Sequence, residues 1–248
     1  MKILITNDDG IESEGLQALA RGLAEAGNRV TVVAPDCNNS AVSHKLNMRT
    51  PMRLVDCSEG KNYRAYSLTG SPVDCVLFAL YELNEAPELV LSGINDGNNL
   101  GTDCMYSGTV GGAQEGINCG IPSIALSTDY HCDAADFARV AQIVTEHLAD
   151  WVKYAEETAG GLNVNIPAKR ELKGTRFCKT ARMQYFPQYE CIDSEKGIYQ
   201  YCLNATDRKP PVIEEGENDA RLFGEGYITM TPLLLDMTDD ALLKRWKR

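Results

Sequence analysis

Near the N terminus, two short apolar runs each end in a polar turn: Lys2-Ile3-Leu4-Ile5-Thr6 and Arg29-Val30-Thr31-Val32-Val33-Ala34. Their β-branched residues and length mark them as buried strands. Between them Leu16, Leu19, Ala20 and Leu23 recur at i, i+3, i+4 and i+7, the spacing of one helical face, and Gly27-Asn28 stops the helix. Strand, helix, strand predicts a parallel pair with a right-handed crossover. The pattern continues. Met52-Val55 and Tyr63-Leu68 read as two short strands around a Ser58-Glu59-Gly60 turn, and Pro72 opens a helix through Tyr81. Leu89-Ser92 is a further strand, followed by a Gly/Asn-rich loop over 93–103. A helix from Thr109 to Asn118 precedes a strand at Ser123-Ser127. Asp133 and Asp136 suit the start of a long helix that carries Phe137, Val140, Ala141, Val144, Leu148 and Trp151 on one side. Leu162-Ile166 reads as the last inner strand.

Beyond residue 160 the pattern changes. Candidate strands at Arg176-Arg182, Ile198-Asn204 and Tyr227-Thr231 are separated by a Pro- and Glu-rich stretch, 207–219, expected to be an exposed loop, and a short helix is expected over Asp239-Trp246. The fold class that follows is α/β, a Rossmann-like three-layer parallel-sheet core over 1–170. Residues 171–248 form a β-rich C-terminal extension with a short terminal helix, not an independent domain.

Composition narrows the function classes. The chain of 248 residues is 44% hydrophobic, enough for a large core. Its net charge of −11 disfavours nucleic-acid polymers and anionic membranes as partners. Met1-Lys2 runs straight into a strand that ends at Asp8 and Asp9, which is not a signal peptide, and no apolar run approaches the roughly 20 residues that span a bilayer. The expected compartment is the cytoplasm. Nine cysteines, an odd number without close spacing or a Cys-x-x-Cys, argue against a disulfide framework or thiolate zinc site, and three histidines are too few for a polyhistidine metal site.

The candidate chemistry lies where open parallel sheets bind ligands, outside the carboxyl ends of the strands. Asn7-Asp8-Asp9-Gly10 follows the first strand, and Asp36, Asn38, Asn39, Ser40 and Ser43 follow the second. Gly93, Asn95, Asn98 and Asn99 follow the strand at Leu89, and Ser107-Gly108-Thr109 opens the next helix. Adjacent carboxylates repel unless a cation sits between them, and oxygen donors suit a hard divalent ion. A helix N terminus suits a phosphate. Each piece alone has a plainer reading: the Asp pair as a solvated turn, the Gly/Asn loop as turn chemistry, Ser107 as a helix cap. Placed together at one sheet edge they predict metal-assisted phosphoryl hydrolysis. His44 reads as a surface residue and Tyr106 as a packing residue. No Gly-x-x-x-x-Gly-Lys-Ser/Thr, no Gly-x-Gly-x-x-Gly after the first strand, no Gly-x-Ser-x-Gly and no Asp-x-Asp-x-Thr occurs.

The chain also resembles the survival protein E (SurE) family of 5′/3′-nucleotidases. The resemblance rests on Ile3, Asn7-Asp8-Asp9-Gly10-Ile11, Val33-Ala34-Pro35-Asp36 with Ser40, Ser71-Pro72-Val73-Asp74, Ser92-Gly93-Ile94-Asn95-Asp96-Gly97-Asn98-Asn99-Leu100-Gly101, Tyr106-Ser107-Gly108-Thr109-Val110, Leu162-Asn163-Val164-Asn165 and Gly226-Tyr227-Ile228-Thr229-Met230-Thr231-Pro232. It implies one divalent metal ion per subunit, Mg2+ or Mn2+, held by Asp8, Asp9, Ser40 and Asn95. It matches Asn99, Ser107, Gly108 and Thr109 to phosphate binding, and the mechanism expected of such a site has Asp8 or Asp9 orient or deprotonate the attacking water. It implies a homodimer or homotetramer whose C-terminal extension exchanges between subunits, and 5′- and 3′-nucleoside monophosphates as substrates. The alternative is a non-catalytic, metal-dependent nucleotide-binding regulatory protein. One departure motivates it: the family stretch Arg-Asn-Arg-Ser-Gly is here Cys37-Asn38-Asn39-Ser40-Ala41, two cations short, with Lys45, Arg49 or Arg53 as candidates to compensate. Ser71 also stands where the family has threonine.

Overall fold

The computed structural model describes residues 1–158, 160–184, 188–196, 198–204 and 212–247. Its centre is a nine-stranded sheet. In chain order its strands are β1 (Lys2–Thr6), β2 (Arg29–Pro35), β3 (Leu54–Asp56), β4 (Arg64–Leu68), β5 (Leu89–Asn95), β6 (Ser123–Ser127), β7 (Gly161–Asn165), β8 (Thr175–Phe177) and β13 (Ile228–Leu233). Across the sheet they lie in the order β3-β4-β2-β1-β5-β6-β7-β13-β8. The six strands from β4 to β7 are parallel, whereas β3 and β13 run antiparallel to β4 and β7.

Helices cover both faces, which is why the central strands are apolar on both sides. In β1, Ile3 and Ile5 pack with Leu16, Leu19 and Leu23 of α1 (Glu14–Glu25) and with Phe137, Val140 and Val144 of α4 (Ala134–Glu157). Leu4 points the other way, to Cys75, Val76 and Ala79 of α2 (Pro72–Tyr81). Helix α3 (Gly108–Asn118) lies beside α2 and packs Val110, Ala113 and Ile117 against Ala125 of β6. Glycines let α3 come close to the sheet: a Cβ on Gly116 would lie 2.2 Å from Ser123 Oγ, and one on Gly112 would lie 2.8 Å from Ser92 Oγ. The expected three-layer α/β core is therefore present.

The C-terminal segment departs from expectation in detail. Its strands β8 and β13 complete the core sheet. The predicted strand over 176–182 shrinks to β8, and two more residues, β9 (Met183–Gln184), pair with β12 (Val212–Ile213). An antiparallel hairpin, β10 (Gln188–Glu195) and β11 (Ile198–Asn204), forms a sheet of its own. In the stretch expected to be an exposed loop, 207–211 lie outside the described residues, and Asp219 is fully buried at the start of α5 (Asp219–Gly224). The physical reason is its carboxylate, which accepts from the N–H groups of Gly101, Ala181 and Ala220. The terminal helix α6 runs over Asp240–Trp246.

Candidate active site

The turn after β1 is built by Asn7. Its buried side chain donates to Gly10 O and Ser13 Oγ and accepts from Gly10 N, closing a loop that Gly10 completes at φ +103°. Asn7 is thus the scaffold, and the next two residues present their carboxylates at the strand end.

Asp8 is buried and faces the N terminus of α3. The Thr109 N–H donates to its Oδ2 at 3.0 Å and the Thr109 hydroxyl to its Oδ1. Gly108 N–H also bonds the carboxylate. The side chain rests on Gly108, where a Cβ would lie 2.9 Å from both Cβ and Oδ2 of Asp8. Burial pushes the Asp8 carboxyl up, and the Thr109 and Gly108 donors pull it down. Asp9 is half-buried and accepts from Asp96 N at 3.1 Å. Burial pushes its carboxyl up to about 6; the Asp96 N–H opposes this, while the charges of Asp8 and Asp96 add to it. Two neighbouring carboxyl groups are thus both held above their ordinary range.

The loop after β2 folds over α3 and carries Ser40 to the same place. Asn39 N donates to Asp8 O at 2.6 Å, Ser43 N to Tyr106 O and Ser43 Oγ to Met105 O. Gly111 allows the approach, because a Cβ there would lie 2.6 Å from Ser43 O. His44, from the same loop, pairs with Glu115 of α3 at 2.7 Å. Asn95 ends β5; its amide nitrogen donates to Gly97 O, and no donor among the described residues is bonded to its Oδ1. Asn99 is buried, its amide nitrogen on Ser127 Oγ and its carbonyl held by Asn163 and Asn165.

Asp8, Asp9, Ser40, Asn95, Asn99 and Ser107 line one open cleft of about 1150 Å³. Gly108 and Thr109 do not. Thr109 is fully buried, and its hydroxyl and N–H, with the Gly108 N–H, bond Asp8. The anion at the N terminus of α3 is Asp8 itself. Ser107 caps the helix by accepting from Val110 N at 3.1 Å, and its hydroxyl proton stays available to a ligand. Lys45, Arg49 and Arg53 are not part of the lining; among the described residues the cation that is, Arg182, comes from the C-terminal segment and carries no motif that marks it in the sequence. Tyr106, expected to pack, is 61% exposed and lines the cleft.

The donor set fits a hard divalent cation. Ser40, Asn95 and the two carboxylates all offer oxygen, and among the described residues no cation is ion-paired with the crowded acidic pair. Among the described residues no three Asp, Glu, His or Cys side chains converge, so a cation here rests on two carboxylates, neutral oxygens and water. That leaves open positions, as hydrolytic chemistry requires.

The family profile for survival protein SurE matches residues 3–187. A 5′-nucleotidase SurE from Clostridium beijerinckii is 40% identical, covering 98% of this chain and 96% of its own. One from Thermosipho africanus is 35% identical, covering 99% and 96%. The crystal structure of a SurE protein from Aquifex aeolicus superposes with a TM-score of 0.80 at 34% identity, covering 100% of this chain and 98% of that one.

Proposed function

The chain belongs to the survival protein SurE family and is a nucleotide phosphomonoester hydrolase, a 5′-nucleotidase, and we propose that it works at the Asp8–Asp9 cleft with one divalent cation, Mg2+ or Mn2+, per subunit. The observation that carries this reading is the pair of crowded, partly desolvated carboxylates that share one cleft with Ser40 and Asn95.

Asp8, Asp9, Ser40 and Asn95 would hold the cation. When bound, it supplies Lewis-acid polarisation of a phosphoryl oxygen. The protein's own groups do the rest. Asp8 is fixed by Thr109 and Gly108, so its orientation costs nothing at the moment of reaction. Asp9, held by one N–H from Asp96, is the freer carboxylate and takes the role of orienting or deprotonating the attacking water. Ser107, through its hydroxyl proton, and Asn99, through the remaining amide proton, donate to phosphate oxygens. Gly108 and Thr109 act one step back, through Asp8. The substrates are 5′- and 3′-nucleoside monophosphates.

The partner reading follows from surface and charge. Ile192, Ile198, Tyr199 and Tyr201 of the hairpin are all more than half exposed, which suits an arm exchanged within a homodimer or homotetramer. A net charge of −11 disfavours nucleic-acid polymers, and among the described residues no helix is long and apolar enough to cross a membrane. All nine cysteines are free thiols, which fits the reducing cytoplasm.

Phosphate release from 5′-AMP, 3′-AMP and p-nitrophenyl phosphate, measured with Mg2+, Mn2+ or Ca2+, tests the proposal. Metal-dependent turnover of the nucleotides supports it. Nucleotide binding without turnover under every metal would replace it with the regulatory reading.

A further inference from the structure

We propose that Arg182 is the substrate-anchoring cation of this cleft, a guanidinium that takes the phosphate end of the nucleotide and so sets KM; the inference rests on the nucleotidase reading above.

The charge of the cleft makes such a group necessary. Five of its lining residues are acidic, Asp8, Asp9, Asp96, Asp103 and Glu214, and among the described residues Arg182 is the one basic side chain in the lining. Glu214 is paired with Lys179, but Asp8, Asp9 and Asp96 alone outweigh a single divalent cation. A phosphomonoester dianion entering it meets repulsion unless a second cation offsets the field. The first cations after Ser40 in sequence, Lys45, Arg49 and Arg53, lie outside the cleft.

Arg182 is also available. Its guanidinium has no hydrogen-bonded or ion-paired acceptor among the described residues. The acid that strand pairing brings beside it, Glu214, whose N–H donates to Arg182 O, is taken by Lys179 at 2.5 Å. The Lys179 contact holds the Glu214 carboxyl below its ordinary range, with Arg182 adding its field.

The backbone that carries Arg182 is tied to the loop that carries the phosphate-facing residues. Buried Asp219 accepts from Gly101 N at 2.9 Å through one oxygen and from Ala181 N at 2.8 Å through the other. Thr102 Oγ1 donates to Met183 O at 3.0 Å. Gly101 permits this contact, since a Cβ there would lie 2.8 Å from Ala181 O. The turn over 101–105 leads directly to Ser107, so residues 181–183 and Ser107 share one framework. A guanidinium presented from such a framework offers a planar fork that matches phosphate oxygens.

The test compares wild type with Arg182→Gln and Arg182→Lys. KM and kcat are measured for 5′-AMP. Binding of inorganic phosphate to the Mn2+-loaded protein and binding of Mn2+ alone are measured by calorimetry. Adenosine, which lacks the phosphate, is titrated as an inhibitor. For Arg182→Gln, KM and the phosphate Kd rise roughly tenfold to hundredfold, the range of a lost charge-assisted pair. The larger part of the loss falls on KM, while adenosine inhibition and Mn2+ affinity stay within about twofold. Arg182→Lys, which keeps the charge and loses the fork, falls between. An unchanged phosphate Kd and KM in Arg182→Gln would overturn the proposal, as would an equal loss for adenosine and phosphate. If wild type hydrolysed no nucleotide, the nucleotidase reading would fail, and the phosphate titration would still decide the role of Arg182.

Discussion

Replacing Gly108 with alanine probes how the Asp8–Asp9 pair is held. Gly108 has an ordinary helical backbone, so alanine brings no φ penalty and favours the helix by up to about 1 kcal/mol. The new methyl, however, would lie 2.9 Å from Cβ and Oδ2 of Asp8 and 3.0 Å from Val42 Cγ2. Ordinary contact begins near 3.4 Å, so Asp8 must retreat by about half an ångström. Thr109 and Gly108 pin the carboxylate, so it cannot swing away without losing those bonds. Overpacking of this kind costs about 1–3 kcal/mol, partly offset by the helical gain. The net change in stability is therefore under about 2 kcal/mol, or below roughly 8 °C in Tm for a chain this long. Activity is more sensitive, because a displacement approaching 1 Å costs about a hundredfold in rate. The expected result is a fall of roughly tenfold to hundredfold in kcat/KM for 5′-AMP with a modest change in Tm. Gly224→Ala, where a Cβ meets nothing within 4 Å, serves as the control and should change neither. A Gly108→Ala protein with wild-type kcat/KM and wild-type Tm would refute the argument that Gly108 sets the position of Asp8.

Two further outcomes follow from buried or paired carboxylates. Asp219→Asn turns an NH2 group toward backbone N–H donors at Gly101 or Ala181; removal of a buried charge offsets part of this, and a net loss of about 2 kcal/mol, or roughly 4–8 °C in Tm, is expected together with a raised KM, whereas a Tm within 1 °C of wild type would contradict the clamp. The His44 hydrogen bond holds Glu115 below its ordinary value of 4.5, so the stability it adds is present above that pH and is lost as the pH falls through the folded value. Because His44 is exposed, the Tm advantage of wild type over Glu115→Gln should be small, under about 1 kcal/mol, and should vanish on acidification below pH 4.5. An advantage that grew on acidification would contradict this sign.

Much of the parallel core was legible because its strands are buried on both faces. Ile3-Leu4-Ile5 and Val30 to Ala34 have little other use for such runs, and Leu16, Leu19 and Leu23 announce the helix between them. Leu89-Ser92 was recognisable for the same reason, yet β5 runs on to Asn95, because Asn95 pairs with Ser127 past a register shift that no local pattern encodes. The C-terminal segment was harder. Asp219 sits among acidic residues that read as a solvated loop, and only the N–H groups of Gly101, Ala181 and Ala220, distant in sequence or short-range in the turn, explain its burial. The residues of the site were legible as a set, since strand order carries Asp8, Asp9, Ser40, Asn95, Asn99 and Ser107 to one edge. Their division of labour was not. That Thr109 bonds Asp8, and that the basic residue in the cleft lining among the described residues is Arg182, depends on side-chain direction and on a segment more than seventy residues further along the chain.

The central claim is that Asp8 and Asp9 together hold the cation that makes this cleft hydrolytic. Phosphate release from 5′-AMP by wild type and Asp9→Asn, with Mn2+ and after EDTA, tests it most directly. The account predicts wild-type turnover that EDTA abolishes and Mn2+ restores. It also predicts a loss of roughly a hundredfold or more in Asp9→Asn, the scale of a missing general base or ligand, at a Tm close to wild type. Turnover insensitive to EDTA, or full activity in Asp9→Asn, would contradict it.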